Sequence, residues 1–169
     1  MSQQDYNYQD FKLPVSVANK RDLSHLLRDF ERVDNEFTTS KVREKVGSSS
    51  DSPQLTDIMG DFLQLNQTDF SGDSNRTSLI QELRKLKDSA TVVHMTFSGE
   101  TDPDSLQKIV AWARESLGSQ VLVEASVQPS LVAGVYVRTS NKVHDLSLRS
   151  RLKQSHGTLV KQLGALNVG

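Results

Sequence analysis

The chain has 169 residues, of which 36% are hydrophobic and 24% are charged, and its formal net charge is −1. This composition is ordinary for a folded protein with one good core or two small ones. The absence of cysteine excludes disulfides, thiolate metal sites and a cysteine nucleophile. We expect a cytoplasmic protein, because no apolar run is long enough to span a bilayer and the N-terminus lacks signal-peptide features.

The first 18 residues are rich in Gln, Asn, Asp and Tyr and contain Pro14. This composition predicts a mobile arm over residues 1–18. The apolar residues of the segment fall at alternate positions, at Phe11, Leu13, Val15 and Val17. The alternation leaves a second interpretation open, in which the segment docks as an edge strand or onto a partner.

Residues 19–89 predict a small bundle of three amphipathic helices. The first begins at the N-cap Asn19 and ends near Lys45, and residues 47–53, GSSSDSP, have the composition of a linker. The apolar stripes of the three helices are Leu23, Leu26, Leu27, Phe30, Val33 and Phe37; Leu55, Ile58, Met59, Phe62 and Leu63; and Leu79, Ile80, Leu83 and Leu86. Such helices are unstable alone, so the stripes pack against one another or leave a groove for another helix.

Residues 90–169 predict a βαββα domain with a small mixed sheet, which makes the fold class α+β. Strands are expected over residues 91–97, 120–127 and 135–139, with a helix from Pro103 to Gly118. Pro129 ends the second strand, and Ser140-Asn141 forms a hairpin turn. The helical period gives way to alternation near Asp88–Ala90, which predicts two independently folding halves.

A final amphipathic helix is predicted after this hairpin. Asp145 and Ser147 are both suitable N-caps, and the expected stripe that holds the helix to the sheet is Leu148, Leu152, Leu159 and Leu163. Before the hairpin, the small pair Ala133-Gly134 predicts either a positive φ at Gly134 or close contact with another backbone. A side chain at Gly134 should therefore be destabilising.

These residues resemble the C-terminal signature of the F-type ATP synthase delta subunit family, called oligomycin sensitivity conferral protein in mitochondria. The matching positions are Val121, Val123, Val127, Gln128, Leu131, Ala133, Gly134, Val135, Val137, Arg138 and Ser140, continued by Asp145, Ser147 and Leu152. Leu146 stands where many members carry a small residue. The resemblance covers roughly residues 91–166.

The resemblance implies a non-catalytic subunit of the peripheral stalk. Such a subunit links the catalytic head to the membrane-anchored b subunits, so that the head does not turn with the rotor during proton-driven ATP synthesis. The implied partners are the C-terminal segment of b and the N-terminal segments of the alpha subunits, and the implied location is the inner face of the cell membrane. Family members have six helices in the N-terminal domain, whereas this sequence predicts three.

No phosphate loop, GxGxxG, HExxH or GxSxG motif occurs in the chain, so we predict no catalytic, cofactor-binding or metal-binding residues. His94, Glu124, His144 and Asp145 could converge across neighbouring strands as a zinc or acid–base site. The other interpretation is that they are polar residues on the outer face of a half-exposed sheet.

The candidates for partner binding are Trp112 and the basic residues near the C-terminus. Trp112 lies off the main stripe of its helix, which indicates either the edge of the core or an exposed anchor. The six basic residues between positions 138 and 161 are Arg138, Lys142, Arg149, Arg151, Lys153 and Lys161, against one acidic residue, Asp145. They form a solvated face, a site for an acidic helix or, with less support, a nucleic-acid site.

Two further hypotheses of function remain beside the stalk subunit. The first is a stand-alone adaptor or regulatory module that reuses the delta C-terminal fold. The second is an enzyme that acts through His94 and Glu124, which requires the two side chains to meet in a pocket.

Overall fold

A computed structural model of the protein describes residues 6–45, 53–153 and 155. Its elements are α1 (Lys20–Lys45), α2 (Asp57–Asn66), α3 (Asp73–Ser89), β1 (Val92–Phe97), α4 (Pro103–Leu117), β2 (Leu122–Val127), β3 (Val135–Arg138) and β4 (Val143–Asp145), with 3-10 turns at Tyr8–Asp10 and Pro129–Leu131. Residues 148–153 are also helical and are called the final helix below. This order confirms the predicted α+β fold class.

The chain groups into two compact units that differ from the predicted halves. The helical unit is Met1–Thr91 with Gln107–Leu122, and the sheet unit is Val92–Leu106 with Val123–Gly169. Residues 107–122, which the sequence assigned to the C-terminal half, therefore group with the first unit. Independent folding of residues 90–169 stays a prediction.

The start of α1 follows from its capping residues. The Asn19 side chain accepts hydrogen bonds from the backbone N–H groups of Arg21 and Asp22, at 2.8 and 3.0 Å. In return, the Asp22 carboxylate accepts from the backbone N–H groups of Ala18 and Asn19. This reciprocal arrangement satisfies donors that the first helical turn leaves without a partner, and it fixes the helix at the predicted position.

Aromatic rings fill the core of the helical unit. Phe62 of α2 packs edge-on against Phe30 of α1, with ring centroids 5.7 Å apart, and Phe30 packs against Phe70 at 5.0 Å. Phe11 of the N-terminal segment closes the cluster, 5.4 Å from Phe62. The apolar stripes of the three helices thus pack mainly against one another, and the N-terminal segment completes their core.

The prediction of a mobile arm is wrong for residues 6–18. Phe11, Leu13 and Val17 are all buried, and the backbone of Lys12 exchanges two hydrogen bonds with the Asn66 side chain at the end of α2. The polar composition of the segment suggested disorder. Its few apolar residues, however, fill a gap among helices that composition cannot reveal.

Arg76 of α3 is a buried cation, only 1% exposed. Its guanidinium lies 2.7 Å from Asp34 of α1, also bonds to Asp73, and donates to the carbonyl oxygen of Ser71. The ring of Phe37 stacks on it, with its centroid 4.6 Å away. A buried charge with this many partners ties α1 to α3 and disfavours other arrangements of the two helices.

The four strands form one sheet in the order β2-β1-β3-β4. β1 pairs with β3 and β3 with β4, both antiparallel. On the other side of β1, the backbone N–H of Leu122 donates to the carbonyl oxygen of Thr91, and that of Gln128 donates to the carbonyl oxygen of Phe97. Residue numbers increase in the same direction along both strands, so β1 and β2 run parallel. The sheet is therefore mixed, as predicted, and the hairpin turn joins β3 to β4 at residues 139–142.

Burial in the sheet unit is confined to few side chains. Val93, Met95 and Val123 are buried, whereas Val127, Val132, Val143 and the leucines of the final helix are exposed. None of the described helices is long and apolar enough to cross a membrane.

Candidate partner-binding surfaces

A surface groove with an apolar floor lies in the sheet unit and is called the Val132 groove. Its volume is about 520 Å³, and its lining residues are Ser130, Val132, Leu148, Arg149, Leu152 and Lys153. One wall is the loop after Pro129, and the other is the final helix. Two basic residues, Arg149 and Lys153, also line the groove. Because they are four positions apart, they come from one face of the final helix.

Gly134 holds the two walls together. Its φ is +97°, and a Cβ added there would lie 2.5 Å from the carbonyl oxygen of Leu146 and 2.9 Å from the Cα of Ser147. On either side of this contact, Leu148 N–H donates to Ala133 at 2.8 Å and Leu146 N–H donates to Val135 at 3.0 Å. Only glycine allows the backbones to approach this closely at that φ.

Val132 occupies an unusual backbone conformation, with φ 64° and ψ −56°. The N–H of Ala133 donates to the carbonyl oxygen of Leu131 at 2.7 Å, so these three residues form a γ-turn with positive φ. This turn is rare and strained, and more so for a β-branched residue. Nothing in the sequence indicates it.

The final helix starts at a double cap. Ser147 N–H donates to the Asp145 carboxylate at 3.0 Å, and Ser150 N–H donates to the Ser147 hydroxyl at 3.3 Å. Ser147 is thus the N-cap, and Asp145 supports it from outside the helix. Hydrogen bonds from the side chain and backbone of Ser147 hold the pKa of Asp145 below its ordinary value, with a further contribution from the charges of Lys153 and Arg149.

The two leucines of the predicted stripe that the structure describes are exposed and do not hold the final helix to the sheet. Leu148 is 42% exposed and Leu152 is 59% exposed, and both line the Val132 groove. Leu159, Leu163 and Lys161 lie outside the described residues. Helical spacing predicted that Leu148 and Leu152 share one face of the helix, and they do. Spacing alone does not say whether that face packs against the protein's own core or is exposed to solvent.

The basic candidates are distributed over two surfaces of the sheet unit. Arg149 and Lys153 line the Val132 groove, whereas Arg151 is exposed on the final helix outside its lining. Arg138 is exposed on β3, where it pairs with His94 of β1. Of these four basic residues, the structure therefore brings Arg149 and Lys153 together beside an apolar surface.

Trp112 is 56% exposed on α4, so the interpretation that it lies at the edge of the core is wrong. The buried residues of α4 are Val110 and Ala113, which lie about one turn apart on the same face of the helix. Position 112 therefore lies on the opposite face. Trp112 belongs to the helical unit, and the basic candidates belong to the sheet unit.

A second open groove lies in the helical unit and is called the Arg114 groove. Its volume is about 740 Å³, and its lining residues are Lys12, Leu13, Pro14, Val15, Asp61, Gln64, Leu65, Arg114, Glu115 and Ser119. Two basic and two acidic residues are among these lining residues. On α2, Leu65 is 46% exposed and Ile58 is 38% exposed, so this helix has two apolar positions outside the core.

Among the residues that line a candidate surface, Arg114 is the one that sequence reasoning missed most clearly. Its guanidinium donates to the carbonyl oxygens of Leu13, Pro14 and Val17, and also to that of Val121. Burial lowers the pKa of Arg114 to about 10, so it remains charged at neutral pH. The only sequence signal that could have indicated its inward position is the spacing of four residues from Val110, which is buried.

The conceivable site at His94 and Glu124 is partly assembled. The His94 Nδ1 lies 3.4 Å from the Glu124 carboxylate, but the side chains are 54% and 42% exposed. His144 pairs with Val137 while Asp145 pairs with Tyr136, so these two point to opposite faces of the sheet. No described pocket includes His94, and the described residues contain no group of three or more potential metal ligands.

An amphipathic helix of a partner protein can lay its apolar face in a groove with apolar walls. Residues 16–159 match the family model of the ATP synthase delta (OSCP) subunit. The match covers most of the chain, and the protein therefore belongs to this family.

Several relatives carry the description ATP synthase subunit delta. The protein of Alcanivorax borkumensis is 38% identical over 76 residues, 45% of this chain and 43% of its own length. That of Teredinibacter turnerae is 28% identical over 134 residues, 68% of this chain and 75% of its own. That of Cupriavidus necator is 30% identical over 77 residues, 46% of this chain and 43% of its own. The aligned part is thus under half the length of two of these relatives.

Proposed function

We propose that this chain is a non-catalytic peripheral-stalk subunit of an ATP synthase, which links the catalytic head to the membrane-anchored b subunits during proton-driven ATP synthesis. The observation that carries the proposal is the family match over residues 16–159. On this proposal the protein lies at the inner face of the cell membrane, bound there through the complex.

The mechanism of such a subunit is mechanical. A stalk component must bind two partners at separate surfaces and resist the torque that the rotor exerts on the head. The two grooves support this role, because one lies in the helical unit and the other in the sheet unit. The buried Arg76 network and the aromatic cluster supply stiffness in the helical unit, since both fix the packing of its helices.

We assign the C-terminal segment of the b subunit to the sheet unit, where Arg149, Arg151 and Lys153 are exposed to an acidic or amphipathic helix. We assign the N-terminal segments of the alpha subunits to the helical unit. Within the described residues that precede β1, this unit has three α-helices rather than the six that the family resemblance implies. Its contact with the head is therefore the less supported of the two.

Co-purification tests the proposal directly. A tagged form of the chain, produced in its own cells, should recover the alpha, beta and b subunits of the ATP synthase from solubilised membranes. Membranes from cells that lack the chain should lose ATP-driven proton pumping, and the purified protein should restore it. Recovery of none of these subunits would contradict the stalk function.

The alternative is a stand-alone adaptor that reuses the delta fold. The three helices in the described part of the chain before β1 favour it, because they are fewer than the resemblance implies for holding the head. An adaptor would co-purify with other proteins, and its loss would leave proton pumping unchanged.

A further inference from the structure

We propose that Arg114 is a positioning residue for the contact with the catalytic head, because it clamps a turn of the N-terminal segment that forms one wall of the Arg114 groove. The inference rests on the proposed function, in which the N-terminal segments of the alpha subunits bind the helical unit. It goes further by naming the residue and the turn on which that contact depends. In this role Arg114 acts through the turn rather than by touching the partner.

The wall is a tight turn over residues 14–17, called the Pro14 turn below. The N–H of Val17 donates to the carbonyl oxygen of Pro14 at 3.0 Å, which is the hydrogen bond that closes a β-turn. Pro14 and Val17 are buried, whereas Val15 at the tip is 39% exposed. Leu13, Pro14 and Val15 all line the Arg114 groove. The turn therefore presents an apolar surface to this groove.

Arg114 holds the Pro14 turn at both ends. Its guanidinium donates to the carbonyl oxygen of Pro14 at 2.7 Å and to that of Val17, and a further bond of 2.8 Å reaches Leu13. On its other side, Nε donates to the carbonyl oxygen of Val121 at 3.1 Å, which fixes the side chain. A planar guanidinium suits this task, since it directs several donors in a rigid fork. A side chain with fewer donors would leave buried carbonyl groups without a partner.

A different side chain holds the start of the N-terminal segment. The Gln120 side chain donates to the carbonyl oxygens of Tyr8 and Phe11. Both bonds lie before the Pro14 turn and outside the residues that line the Arg114 groove. Gln120 and Arg114 therefore fix separate parts of one segment, and loss of each should loosen a different part.

The other lining residues indicate which helix fits the groove. Leu65 of α2 adds an apolar side chain that is 46% exposed. Asp61 and Glu115 are exposed acidic residues of the lining, against one exposed basic residue, Lys12, because the donors of Arg114 are directed to carbonyl groups. These side chains favour an amphipathic helix with Lys or Arg beside its apolar stripe.

Binding of a synthetic N-terminal segment of the cognate alpha subunit to the full chain tests the role of Arg114. Arg114→Gln should weaken this binding by about tenfold or more, because the apolar wall is no longer held. Arg114→Lys should bind with an intermediate affinity, since an ammonium group keeps the charge but lacks the rigid fork of donors. Binding of the C-terminal segment of the b subunit should stay unchanged in both variants, whereas a general loss of folding would weaken both contacts.

Variants that leave Arg114 in place test the wall itself. Val15→Asp and Leu65→Asp should each weaken binding of the alpha segment by about tenfold or more. The matched control is Ile58→Asp, because Ile58 is 38% exposed on the same helix as Leu65 and lines none of the described pockets. Gln120→Leu is the second control, since it loosens the segment outside the wall. Both controls should bind within about twofold of the parent.

Amide hydrogen exchange supplies a readout that a purely structural role would not change. Coupling between two events is reciprocal, so if the clamped turn strengthens binding, the bound segment must stabilise the turn by the same factor. Exchange at the Val17 N–H, which closes the turn, should therefore slow when the alpha segment binds the parent. Exchange in the sheet unit should not change.

The outcomes separate this inference from the proposed function. If the parent binds the alpha segment and a folded Arg114→Gln protein binds it equally tightly, the role of Arg114 is overturned and the proposed function stands. Equal weakening by Gln120→Leu would also overturn it, because any loosening of the segment would then suffice. If the parent binds no alpha segment but still recovers ATP synthase subunits on co-purification, only this inference fails. If it recovers none, the stalk function fails as well.

Discussion

The helical unit and the sheet unit use apolar side chains in different ways. The helical unit buries Leu23, Phe30 and Phe62 completely. The sheet unit buries Val93, Met95 and Val123 but leaves the leucines of the final helix at the surface. Apolar periodicity therefore has two meanings in one chain. In the first unit it mainly builds a core, and in the second it also builds a surface.

Basic side chains also differ between the two units, since some are bonded within the fold and others are exposed at the surface. Arg76 and Arg114 of the helical unit donate to carboxylates or backbone carbonyls of their own unit. Arg149 and Lys153 of the sheet unit are exposed on the rim of a groove. A cation whose donors are satisfied inside the fold stabilises that fold, whereas one at a rim is available to a partner.

The largest expected effect is the difference in stability when a leucine is changed to alanine in one unit and then in the other. Leu23→Ala should lower the free energy of unfolding by about 2–5 kcal/mol, because Leu23 is 0% exposed. Leu152→Ala, at 59% exposure, should change it by less than about 0.5 kcal/mol. Urea unfolding followed by circular dichroism measures both. Equal losses would show that the final helix is packed as a core element.

Gly134→Val should lower the free energy of unfolding by about 1–3 kcal/mol, through strain at positive φ and overlap with the backbone of Leu146. The control is Gly60→Ala in α2, where an added Cβ meets no atom within 4 Å. That change should stabilise the protein by about 0.5–1 kcal/mol, since alanine favours helix. Thermal melts of the two variants should shift in opposite directions, and a Gly134→Val melt like that of the parent would contradict the role of the glycine.

Arg114→Met should loosen the N-terminal segment of the helical unit, because the carbonyl groups of Leu13, Pro14 and Val17 lose their donor. We expect a loss of about 1–3 kcal/mol and faster amide hydrogen exchange over residues 8–18. Exchange in the sheet unit serves as the internal control and should not change. Since the pKa of Arg114 is about 10, the wild-type contact should be independent of pH between about 5 and 8.

The smallest effect concerns the cap of the final helix. The pKa of Asp145 lies below 3.8, so its stabilising contribution is complete above that pH and is lost as pH falls through the lower folded value. Ser147→Ala should raise the pKa of Asp145 toward 3.8, because the Ser147 side-chain hydrogen bond is the largest cause of the shift. A carboxyl NMR titration measures this pKa in both proteins. No change would assign the shift to the backbone bond and the neighbouring cations.

Much of the fold could be predicted from the sequence because its signals are local. The cap at Asn19, the stop at Gly118 and the turn at residues 139–142 each depend on side chains within a few positions. The alternation of β1 and the stripe of α1 depend on nothing beyond the period of each element. The family resemblance rested on similarly local spacing around Gly134.

The tertiary structure decided which apolar faces meet a core and which meet solvent. The sequence alone predicted the helices, three of the four strands, the α+β class and the need for a small residue at position 134. It did not reveal that Phe11 completes an aromatic cluster, that Arg114 holds residues 13–17, or that Leu148 and Leu152 are exposed beside Val132. Periodicity marks a face, but burial of that face depends on residues tens of positions away, and only the folded chain brings those together.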